Sequence, residues 1–70
     1  MTTIHIPLLN EGTDVWRPAS AEHIQDDVFR IVGEAPPDEK WQFTPGEVVR
    51  CRQQQLSGGS CLVAYETANI

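Results

Sequence analysis

Turn signals recur at short intervals along this chain, at Asn10-Glu11-Gly12-Thr13, Pro36-Pro37-Asp38-Glu39, Thr44-Pro45-Gly46 and Ser57-Gly58-Gly59. Between them lie apolar-alternating runs too short for amphipathic helices but long enough for strands. That punctuation confines a chain of 70 residues to a small all-β fold. There is room for one hydrophobic core, because a chain this short buries only about 60% of the surface its unfolded form exposes. Residues 1–70 are therefore read as a single domain, with 67–70 as a frayed end.

Ile4, Ile6 and Leu8 alternate with Thr3, His5 and Pro7, the two-residue period of a half-buried strand, and predict a first strand over residues 3–8. A second strand is expected from Val15-Trp16, with Pro18 demanding an edge or a bulge because proline cannot donate to a ladder. Residues 19–25 could instead form a short helical turn, since Ser20 precedes an acidic residue in the manner of a helix start. Asp26-Asp27 reads as a turn, and Val28-Phe29-Arg30-Ile31-Val32 is the run richest in strand-favouring residues. Gly33 to Lys40 reads as an exposed loop, and Trp41-Gln42-Phe43 as a short extended piece.

Pro45-Gly46 suits the central positions of a type II turn, where proline fixes the first φ and glycine accepts the positive one. Residues 48–52, with Gln53-Gln54-Gln55 as a polar extension, form the fourth strand. Ser57-Gly58-Gly59 then turns the chain into the fifth, over 61–65. Five short strands with no convincing helix predict a small SH3-like barrel, since a flat sheet would expose one apolar face and two edges. A five-stranded OB-type barrel is the alternative, and the missing helix between its third and fourth strands counts against it. Phe29, Phe43 and Trp16 are the expected core aromatics, with Trp41 at the rim.

The motifs Ile6-Pro7-Leu8-Leu9-Asn10-Glu11-Gly12-Thr13, Val15-Trp16-Arg17-Pro18 and Pro45-Gly46-Glu47-Val48-Val49-Arg50-Cys51 resemble those of a group of short bacterial proteins without an assigned activity. The likeness spans most of the chain. It implies a stand-alone bacterial protein and transfers no catalytic residue.

The recognisable chemistries fail on spacing. His5, His23, Cys51 and Cys61 have the composition of a zinc site, but their gaps are far from the close pairs that one turn can aim at a metal. His5 on a strand face, His23 in a loop and two small packed thiols describe them without a ligand. Neither cysteine sits at a strand-to-helix turn that would activate a thiolate. Ser57-Gly58-Gly59-Ser60 has neither the order of a nucleophile elbow nor the lysine and helix of a phosphate loop. Asp26-Asp27 and Asp38-Glu39 lack the alternation of a calcium loop and read as solvated turn charges. The expected protein thus has no catalytic residue, no metal and no cofactor. Cys51 and Cys61, on neighbouring strands but out of register, should stay unbonded.

Charge has more functional content. Ten acidic residues against five basic ones give a net charge of -5, which opposes the attraction that drives most nucleic-acid binding. The first residues carry no basic leader, and no apolar run reaches the length of a membrane span, so a cytoplasmic protein is expected. Arg17, Arg30, Arg50 and Arg52 all fall on predicted strands, while most acids fall in loops. Arg50 and Arg52 must share a face, because strand side chains repeat every two residues. Either these arginines pair with acids such as Glu47 or Glu66, or they form an open surface. In the second case Arg17, Arg50 and Arg52, with Trp16 or Trp41, are the candidate partner-binding residues of a non-enzymatic protein-interaction module. A nucleic-acid-binding barrel would need a contiguous basic stripe with exposed aromatics, and a small ligand-binding protein or enzyme is the third reading.

Overall fold

A computed structural model describes residues 1–9, 15–56 and 58–68. The strands are β1 (Thr2–Pro7), β2 (Trp16–Gln25), β3 (Val28–Ile31), β4 (Val48–Leu56) and β5 (Gly59–Thr67). They close in sequential order into an all-β, five-stranded, SH3-like barrel. The sequential order excludes the Greek-key path of the OB-type alternative. Residues 19–25 belong to β2 and form no helical turn. Pairing to β1 and then to β3 satisfies their backbone and overrides the local signal of Ser20. Among the described residues no helix is long and apolar enough to cross a membrane.

Closure obeys a parity rule. Consecutive strands are all antiparallel, so an odd-stranded meander brings its first and last strands together pointing the same way. The barrel must therefore contain one parallel seam, between β1 and β5, and that seam rests on the single register pair His5↔Val63. Its brevity has two causes. Leu8 donates to the Val15 carbonyl on the β2 side at 2.9 Å, whereas Leu9 donates to the Lys40 carbonyl at 2.7 Å and Pro7 accepts from the Gln42 amide at 2.9 Å. Since alternate residues share an edge, His5, Pro7 and Leu9 face β5, and Pro7 has no N–H to offer it. On the other side, β5 bulges where Arg50 pairs with Glu66 and Cys51 with Ala64, leaving Tyr65 without a register partner. Residues 40–42 fill the gap, with Trp41 bridged to Leu8.

Pro18 meets its expected constraint. Val32 and Gly33 donate to the Ser20 carbonyl, so Pro18, two residues earlier, faces the same side of β2. There the β3 pairing begins only at Ala21, and the missing N–H lies on a locally unpaired edge. The turns follow the sequence too. Glu47 donates to the Thr44 carbonyl at 3.1 Å across Pro45-Gly46, and Gly46 has φ 95°, as a type II turn requires. Gly58, with φ 100°, precedes the Leu56↔Gly59 pair that closes the last hairpin. The turns expected at Asn10 to Thr13 and at Ser57 lie outside the described residues.

Period-two alternation fills the barrel with Ile4 and Ile6 from β1, Ala19 and Ala21 from β2, Phe29 and Ile31 from β3, Val49 and Cys51 from β4, and Ala64 from β5. The three alanines leave the interior room for larger groups, and the β3–β4 connection supplies them as Trp41 and Phe43. Phe29 and Phe43 are core as expected. The tryptophans exchange places: Trp41 is only 5% exposed, whereas Trp16 is half-buried. Trp16 stands opposite Pro7, at a position facing outward, while the bridge to Leu8 carries Trp41 into the barrel. Replacing Trp41 with alanine should accordingly cost about 3–5 kcal/mol of stability. Trp16→Ala should cost much less, as measured by chemical denaturation of the two variants.

Candidate functional site

The bulge at Tyr65 and the break in the ladder at Pro7 splay β5 from β1 and open a shallow groove of about 300 Å³ on the outside of the barrel. Trp16 and Pro7 form one wall, as expected of an in-register pair on one face. Arg52 and Tyr65 form the other. Arg52 pairs in register with Val63, and its guanidinium carbon stands 5.0 Å from the centre of the Tyr65 ring, a cation–π stack. Gln42 and Gln54 add two amide side chains.

The expected binding set is divided by this geometry. Arg52 and Trp16 share the groove, from β4 and β2. Arg50 has the outward direction predicted for it, but it is held by Asp27, to whose Oδ1 its Nη1 donates at 3.0 Å, and by Glu66, 3.8 Å from its Nε. Glu66 is one of the acids the sequence offered as a partner; the other, Glu47, instead accepts from the Thr44 hydroxyl at 3.0 Å. Arg30 pairs with Glu22. Arg17 lies opposite Ile6 and so shares the inward direction. At the barrel's end, however, it reaches Glu39, donating from Nε at 3.1 Å and from Nη2 to the second carboxylate oxygen. Trp41 is removed from any surface; its indole N–H donates to the same Glu39 at 3.0 Å. Among the described residues, no carboxylate forms an ion pair with Arg52.

Tyr65, Pro7 and the two glutamines were not singled out in the sequence. A register count back from the Gly58 turn sets Arg52 against Val63 and Tyr65 diagonally from it, which would have marked the stack. Of the two features that expose it, Pro7 is visible in the sequence, whereas the bulge at Tyr65 has no local signal.

Two clusters are structural. The Glu39 carboxyl is held below the usual carboxylate range, chiefly by the Arg17 hydrogen bonds and then by that of Trp41. The Arg17 guanidinium is pushed up by the same contact. Burial, and secondarily Asp27, pushes the Cys51 thiol up to about 11, so it stays protonated at neutral pH. Cys51 and Cys61 are both free and three register positions apart, Cys61 facing Gln54. His23 lies in β2, not in a loop. Among the described residues no three His, Cys, Asp or Glu side chains gather into a site that could hold a metal.

Comparisons with protein families, with curated proteins and with solved structures find no match. What bears on function is therefore the groove itself.

Two outcomes test this arrangement. A group whose folded pKa is depressed adds stability above the ordinary carboxylate pKa, and that stability is lost as pH falls through the folded value. Glu39→Gln, which keeps an oxygen for the Trp41 indole but loses the charge, should melt below the parent at neutral pH. The gap should narrow as pH falls below about 4.5, the ordinary glutamate value, toward the lower folded one. For the thiols, alkylation of the native protein near pH 8 followed by peptide mass analysis should label Cys61 and leave Cys51 unmodified until the barrel is unfolded.

Proposed function

We propose that this protein is a non-enzymatic interaction module whose partner lays an extended segment into the seam groove between Trp16 and Tyr65. The observation that carries this reading is the company Arg52 keeps. Three of the four strand arginines are neutralised by carboxylates, whereas Arg52, flanked by two partly exposed aromatics, has no such partner among the described residues. Aromatic and arginine side chains are those most enriched where binding energy concentrates, because they combine large contact area with directional donors. The concavity is shallow and open, a shape that suits a chain lying across it better than a small molecule enclosed within it.

Nucleic acid is the weaker occupant. A net charge of -5 repels a polyanion, and the paired arginines leave no basic stripe to track a phosphate backbone.

Affinity capture from a native lysate on immobilised variants tests the proposal. Arg52→Ser and Trp16→Ala should each reduce retention of the protein's partner at least about tenfold, the usual effect of losing an interface hot spot. Arg30→Ser, outside the groove, should leave retention unchanged, and all three variants should remain folded by circular dichroism. Retention that survives both groove substitutions would place the binding surface elsewhere.

A further inference from the structure

We infer that the groove reads an acidic side chain: Arg52 takes an Asp or Glu carboxylate of the bound segment in a two-pronged hydrogen bond, and Tyr65 is the positioning residue that holds the guanidinium ready. This rests on the groove reading above and adds to it the chemistry of the ligand. A guanidinium stacked on an aromatic ring spends its face and keeps its edge, so its N–H donors stay free in the plane. Elsewhere on the barrel that edge is already used, as where Arg17 grips both oxygens of Glu39. Arg52 has the same fork, set over the Tyr65 ring with no carboxylate of the described residues on it. A partner carboxylate would complete on Arg52 what Glu39 completes on Arg17.

The rest of the lining narrows the choice of anion. Among the described residues Arg52 is the only charged one lining the groove, which matches the single charge of a carboxylate; a phosphate dianion calls for more than one cation. Gln42 and Gln54 each offer an amide donor and acceptor, the complement of a peptide backbone. Trp16 and Pro7 offer an apolar wall for a neighbouring side chain. The occupant is thus an extended polypeptide segment with an acidic residue among apolar ones.

The test uses pools of blocked pentapeptides with glutamate fixed at the centre and Ala, Leu, Pro and Val mixed elsewhere. Matched pools carry central glutamine, central phosphoserine, or central glutamine with a free terminal carboxylate. Each is titrated into the intact protein while the Arg52 Nε–H and Trp16 indole N–H resonances are followed. The glutamate pool should shift both signals with an apparent affinity roughly tenfold above the glutamine pool, the scale of a charge-assisted hydrogen bond. Arg52→Gln should abolish that preference. Tyr65→Phe, which keeps the ring, should retain it, and Tyr65→Leu should lose most of it although Arg52 remains. Equal binding of the glutamate and glutamine pools at these resonances would overturn the carboxylate assignment and leave the groove reading standing. Tighter binding of the phosphoserine or free-terminus pool would also overturn it, in favour of that anion. If no pool moves the Arg52 and Trp16 signals, both the assignment and the groove reading fall.

Discussion

An odd number of strands cannot close into a barrel by antiparallel pairing alone, and much of this molecule follows from that. The parallel seam between β1 and β5 has one register pair, His5↔Val63, because Pro7 withholds the next donor and β5 bulges at Tyr65. A seam so thin would leave an opening at the end of the barrel. The chain fills it with residues 40–42, whose backbone bonds to Pro7 and Leu9 replace those β5 does not make, and whose Trp41 supplies the bulk the alanine-lined interior lacks.

The same break makes the groove. Had β5 run in register along β1 past Val63, Tyr65 would lie beside Pro7 in a continuous sheet. Splayed apart, the strands present Trp16, Pro7, Tyr65 and Arg52 around a concavity. The candidate site is therefore no appendage to the fold; it is the outer side of the compromise that closes it. A substitution restoring a donor at position 7 would act on closure and groove together.

Most of the architecture was legible in the sequence because each strand is set by alternation that pairing reinforces. The alternation of Ile4 and Ile6, the β-rich run from Val28 and the Pro45-Gly46 turn all name their structure locally. The tryptophans were not legible, because local pattern gives no information about which loop residue a barrel end recruits. Trp41 sits among charged neighbours, Glu39 and Lys40, and looks like a rim residue; only its bridge to Leu8 shows that it is core. For the arginines, strand placement and facing direction could be read, but their partners could not. Arg17 and Glu39 are 22 residues apart and meet only because the β3–β4 connection folds back over the barrel.

Charge pairing leaves Arg52 as the one arginine of this acidic protein with no carboxylate partner among the described residues. Exposed ion pairs such as Arg30–Glu22 contribute little to stability, typically under about 1 kcal/mol, yet each withdraws an arginine from outside partners. Arg17 and Arg50 are withdrawn in the same way. Arg52 escapes because its register neighbour is Val63 and its diagonal neighbour is Tyr65, so its local contact is aromatic, not ionic. The surrounding negative charge then works as a filter. On the proposed reading, long-range repulsion would discourage polyanions, while a single carboxylate on an otherwise apolar segment would meet the unpaired Arg52 guanidinium at short range, where a directional hydrogen bond outweighs a screened field.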